Sequence, residues 1–118
     1  MKTPKSILDR RRSIRIAEKL PFRLGHDGFE IEATSLNISY HGAMFLVDKD
    51  IKLMTQLSLG ITVPDGSKSH RVLAKGVVVR KESDTRTGKF LIAVFFSDIK
   101  PKDEKILKDF IDGRIKRD

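Results

Sequence analysis

Arginine is unusually concentrated near the start of this chain, in the run Asp9-Arg10-Arg11-Arg12-Ser13-Ile14-Arg15. A guanidinium is a planar fork of donors. It pairs bidentately with phosphate and equally with the O6/N7 edge of guanine, and it stacks on purine faces. In an extended segment Arg11, Ser13 and Arg15 point to one side, and Arg10 and Arg12 to the other. A cluster of arginines rather than lysines favours a ligand that offers both phosphates and guanine edges. Taken alone, the run reads equally well as a nonspecific basic arm.

A second stretch, Asn37-Ile38-Ser39-Tyr40-His41-Gly42, has polar groups at a spacing of two. On a strand Asn37 and Ser39 share a face. Asn37 offers donor and acceptor, Ser39 a hydroxyl, and Gly42 permits a turn or close approach of a ligand. By itself this stretch also reads as an Asx or Ser turn that ends a strand.

The elements that must position these residues follow from periodicity. Phe22 and Leu24, then Phe29, Ile31 and Ala33, alternate with polar neighbours on either side of Gly25-His26-Asp27-Gly28, which predicts a hairpin. Thr34–Tyr40 continues as a strand toward a turn at His41-Gly42, and Ala43–Val47 forms a short apolar strand. Leu57, Leu59, Ile61 and Val63 alternate strictly until Pro64-Asp65-Gly66-Ser67. Arg71–Lys81 reads as a long strand, Asp84–Gly88 as a turn, and Lys89–Ser97 as a strand apolar on both faces. After it, Pro101 suits a first helical turn, with Asp103 and Glu104 at the positive end. Ile106, Leu107, Phe110 and Ile111 form one helical stripe, and Gly113 is a natural stop. About six antiparallel strands and one helix imply a closed barrel or sandwich, with the helix covering one end.

Composition limits the chemistry. The 118 residues suffice for one domain with a real core. The absence of cysteine excludes disulfides, thiolate zinc sites and cysteine nucleophiles, and it fits a reducing compartment. The longest apolar run, Phe90–Phe96, is far too short to span a bilayer, and no apolar stretch follows the N-terminal basic residues. A cytoplasmic protein without membrane insertion is therefore expected. Residues 1–19 hold seven basic and two acidic side chains, which supplies five of the eight surplus positive charges and points to an anionic partner. His26, His41 and His70 lack metal-ligand spacing, and Ser39 near His41 has nothing to orient it as a catalytic dyad. The chain is expected not to be an enzyme and to need no cofactor.

Together the two polar stretches resemble the PilZ domain family. Its hallmarks are Arg-x-x-x-Arg, here Arg11-Arg12-Ser13-Ile14-Arg15, and Asp/Asn-x-Ser-x-x-Gly, here Asn37 to Gly42. The resemblance runs from about Asp9 to Asp112. It implies an all-β fold with a C-terminal helix, a six-stranded antiparallel PilZ-like β-barrel. It also implies a receptor for cyclic di-GMP that signals through an unidentified downstream protein. Arg11 and Arg15 would embrace guanine and phosphate, Asn37 and Ser39 would contact a guanine edge, and Gly42 would keep that loop tight. In the family, arginine just before the first motif goes with two ligands per site; Arg10 stands there, and Arg12 adds a further charge. The chain departs from relatives that place tryptophan on the strand before the last turn, where it has Val77, Val78 and Val79.

The expected organisation is a flexible basic arm over residues 1–12, the barrel and helix over 13–113, and a basic tail over 114–118. Two other readings remain. One is a small barrel that binds nucleic acid through the arm and through Lys116 and Arg117, against which stand a single tyrosine, Tyr40, and no tryptophan. The other is a PilZ-like adaptor that binds no ligand.

Overall fold

The computed structural model describes residues 15–117. Six strands alternate with short turns: β1 (Pro21–His26), β2 (Phe29–Ile38), β3 (Gly42–Val47), β4 (Gln56–Asp65), β5 (Lys68–Asp84) and β6 (Lys89–Ile99). One helix, α1 (Pro101–Arg117), follows. All strand pairs are antiparallel, and the sheet closes on itself in the order β1-β2-β3-β6-β5-β4. The fold is thus the expected six-stranded antiparallel barrel with a C-terminal helix.

Alternation sets which side chains fill the barrel. Leu57, Leu59, Ile61 and Val63 on β4 are all buried, as the period of two requires. Phe22 and Leu24 enter from β1, Phe45 from β3, Val72 and Val78 from β5, and Ile92 and Val94 from β6. Phe22 and Phe45 meet edge to face, with ring centroids 4.6 Å apart. Fully burying each such side chain is worth about 1.5–3 kcal/mol. At the β1–β2 turn Gly28 adopts φ 92°, a conformation that side chains other than glycine's rarely tolerate.

Three irregularities break the ladders. The register shifts between Ser35 and Asn37 on β2, between Val78 and Arg80 on β5, and between Lys75 and Gly76, opposite Asp98 and Phe96 of β6. The first two insert Leu36 and Val79, and both of these are exposed.

The helix packs against β4 and β5 and inserts Leu107 and Ile111 into the same core as the strands. Contrary to the expected stop at Gly113, α1 continues to Arg117. The last turn is held from outside. Arg114 pairs with Glu18 and lies over the Phe110 ring, and Ile115 packs on the core. These contacts outweigh the cost of one internal glycine, about 1 kcal/mol. Residues 114–117 are therefore helix rather than a tail. No helix among the described residues is long and apolar enough to cross a membrane.

Candidate functional site

Arg15 and Asn37 are 22 residues apart in sequence, and the fold places them side by side. The segment before β1 runs alongside β2. Ile16 and Ile38 exchange both backbone hydrogen bonds, at 2.9 and 3.0 Å. Further along, the Ser35 N–H donates to the Leu20 carbonyl at 3.0 Å. The Ser35 hydroxyl accepts from the Leu20 N–H at 2.9 Å and donates to the Glu18 carbonyl at 2.7 Å. Ser35 is fully buried, so these bonds are shielded from water. Ile16 and Leu20 bury their side chains in the core. The segment is thereby fixed at both ends of a short stretch, and Arg15 is delivered to the outer face of the sheet.

There the Arg15 guanidinium donates from Nη1 to Asn37 Oδ1 at 3.0 Å. Asn37 Nδ2 contacts Met44 Sδ at 3.5 Å on β3. Arg15 is exposed and Asn37 half-buried. The guanidinium carries five N–H donors, and this bond uses one of them.

Ser39 and Gly42 are placed differently. Ser39 lies one residue past the end of β2 and is only 3% exposed. Its N–H donates to the Gly42 carbonyl at 2.8 Å, and its hydroxyl accepts the His41 N–H at 3.3 Å and approaches the Gly42 carbonyl at 3.4 Å. Ser39 thus holds the turn between β2 and β3. The shared outward face expected for Asn37 and Ser39 does not form. The β2 bulge turns Asn37 outward, and the chain then leaves the strand before Ser39. Gly42 is pressed against β6: a Cβ there would lie 2.3 Å from the Val94 carbonyl oxygen. Only glycine fits without moving the strand.

The neighbouring residue, Tyr40, reaches the helix, where its hydroxyl donates to the Asp112 carboxylate. Lys108 lies over the Tyr40 ring at 5.8 Å. Ser35, Tyr40, Glu18 and Arg114 were not evident as positioning residues in the sequence. Ser35 alone left a signal, a polar residue in the core-facing phase of Ile31 and Ala33. Arg10, Arg11 and Arg12, the other arginines of the candidate site, lie outside the described residues. Among the described residues, no group of three histidines or carboxylates is placed to hold a metal.

The comparisons with known proteins bear on what this geometry is for. The sequence model of the PilZ domain matches residues 9–113, most of the chain. The chain belongs to the PilZ domain family. Solved structures of the same fold include the Bacillus subtilis inhibitor of motility, MotI/DgrA, at 22% identity and TM-score 0.76. A second is the Borreliella burgdorferi PlzA protein in complex with c-di-GMP, at 12% identity and TM-score 0.63. A third is the PilZ domain of Escherichia coli YcgR with c-di-GMP, at 14% identity and TM-score 0.60. They align with 87%, 99% and 92% of this chain, respectively. This PilZ domain spans 50% of the Bacillus chain and 57% of the Borreliella chain, but 95% of the Escherichia domain. No curated protein sequence matches it.

Proposed function

We propose that this PilZ domain is a receptor for cyclic di-GMP that passes the signal to a partner protein and catalyses no reaction itself. One observation carries the reading. The Arg15 guanidinium meets Asn37 at 3.0 Å, so one residue from each short motif stands at the same place on the barrel surface. Two solved relatives of the same fold hold c-di-GMP, which supports the choice of ligand. In this reading Arg11 and Arg15 grip phosphate and a guanine edge, and Asn37 reads that edge. Ser39 and Gly42 set the turn beside it. Arg10 and Arg12 raise the positive charge enough to offset four ligand phosphates, so two stacked ligands are held per chain.

The test is calorimetric titration of the full chain with cyclic di-GMP, beside GMP and cyclic AMP. Binding of cyclic di-GMP alone, at two per chain, is expected. Arg11→Ala and Arg15→Ala should each weaken it about tenfold or more, the worth of a charge-assisted bidentate contact. Arg10→Leu should move the ratio toward one. Equal heats for all three nucleotides, or unchanged affinity in both alanine variants, would refute the assignment. Affinity should also fall less steeply with salt than it would for a polyanionic nucleic acid.

A further inference from the structure

An apolar strip on the outside of the barrel begins beside Asn37 and crosses three strands. Asn37 pairs with Met44, and Met44 pairs with Ala93. One row along, Gly42 pairs with Phe95, and Phe95 pairs with Val77. Directly paired residues share a face of a sheet, as do residues two apart on one strand. Met44, Ala93, Phe95 and Val77 therefore lie on the same outer face as Asn37. Met44, Ala93 and Val77 are half-buried, while Phe95 is 46% exposed. Val79, the bulged residue at the far side of the strip, is 51% exposed. A contiguous apolar strip on an outer sheet face marks a surface that something covers.

The register says what covers it. Phe95 lies across from Gly42, where the sheet carries no side chain to overhang the ring. Two strand spacings separate β2 from β6, so Phe95 stands roughly 10 Å across the sheet from Asn37. A ligand whose one guanine is held at Asn37 and Arg15 extends its remaining base over this strip. Bases stack on exposed aromatic rings whatever their sequence, because every base presents a π-face.

We propose that Phe95 is the platform on which a guanine of the bound nucleotide stacks, with Val77 and Met44 as its apolar flanks. This assignment rests on the cyclic di-GMP reading above and adds a residue that neither short motif contains. Phe95 then sets the preference for a ligand with two bases: a mononucleotide held at Arg15 and Asn37 cannot also cover it.

The chain has no tryptophan, so Phe95→Trp introduces a single tryptophan at the proposed contact, excited at wavelengths where Tyr40 does not absorb. The experiment titrates cyclic di-GMP into wild type, Phe95→Ala, Phe95→Leu and Leu73→Ala by calorimetry, and into Phe95→Trp by fluorescence. Leu73 is an exposed residue on the same strand as Val77 and serves as the control. Phe95→Ala should lose about tenfold in affinity, Phe95→Leu should lose less, and Leu73→Ala should match wild type. The Phe95→Trp emission should be quenched in proportion to occupancy. All variants should melt close to wild type, because the ring is half in solvent. Wild-type binding with unchanged affinity in Phe95→Ala and unquenched tryptophan would overturn the role of Phe95 and leave the receptor standing. No wild-type binding of cyclic di-GMP would overturn both.

Discussion

The Nε of Arg114, in the last turn of α1, lies 3.2 Å from the Glu18 carboxylate, three residues beyond Arg15. Arg114 Nε makes no aligned hydrogen bond there, so the contact is an ion pair held by charge. One residue pair away, Asp112 accepts from Tyr40 inside the second motif. The same helical turn therefore grips both stretches that form the candidate site.

Loosening that grip should be measurable as stability. Both side chains of the pair are about one-third exposed, so screening by solvent reduces its worth. Glu18→Gln should cost about 1 kcal/mol, read by urea denaturation at low salt. The difference from wild type should shrink in high salt. A Glu18→Gln variant as stable as wild type at every salt concentration would show that the pair contributes nothing.

Ser39 and Asn37 should separate cleanly. Ser39→Ala removes a buried hydroxyl that accepts from the His41 N–H, and it should destabilise by about 1–3 kcal/mol. Gly42→Ala should cost about 3 kcal/mol or more, since a carbonyl oxygen occupies the space. Asn37→Ala should leave the melting temperature within a few degrees of wild type and weaken the ligand instead. Thermal melts of the three variants check this. An Asn37→Ala protein that melts as low as Gly42→Ala would make Asn37 a structural residue.

Asp84 should titrate low. The Thr87 hydroxyl donates to its carboxylate at 2.7 Å, and this bond is the main reason its pKa lies below the ordinary aspartate value. The Arg86 N–H and the Arg86 charge add to the effect, and slight desolvation opposes it. A depressed folded value means the contribution to stability is present above the ordinary aspartate range. It is lost as pH falls through the folded value. Carboxyl NMR should show this midpoint below the ordinary aspartate value, and Thr87→Val should raise it. A midpoint unmoved by Thr87→Val would remove the cause named here.

Met54 adopts φ 69° and is 70% exposed. Its N–H is held by the Val78 carbonyl at 2.7 Å, which fixes the backbone in a region that L residues avoid. Met54→Gly should therefore stabilise the barrel by about 0.5–1 kcal/mol, the relief of the left-handed conformation less glycine's extra chain entropy. Chemical denaturation decides it: a loss of stability would mean that the side chain matters more than the backbone.

Much of this architecture was legible because the physics is local. The alternation at Leu57, Leu59, Ile61 and Val63 sufficed to place β4, and the Pro101, Asp103 and Glu104 pattern sufficed to start the helix. The end of the helix was not legible. Gly113 carries a stop signal, but the contacts of Arg114 and Ile115 that override it come from distant parts of the chain. The face of Ser39 was hidden for a related reason. A bulge shifts phase by one residue, and Leu36 has nothing in its own chemistry that announces it. The meeting of Arg15 with Asn37 was legible only through a family resemblance. Its physical cause, Ser35 docking the preceding segment, lies in a residue whose type is common in many turns.

Closure of the barrel also orders events in time. The first strand of the barrel is not an edge: β1 lies between β2 and β4, with Phe22 paired to both Ala33 and Ile61. A nascent chain that has released only β1–β3 holds a hairpin and one more strand, with the apolar face of Phe22 and Leu24 uncovered. Such exposed surface is what aggregates. The ribosome must deliver the chain through Asp65 before β1 gains its second neighbour. It must then reach Ile99 before the ring can shut, so this small domain commits to its fold only when nearly all of it has emerged.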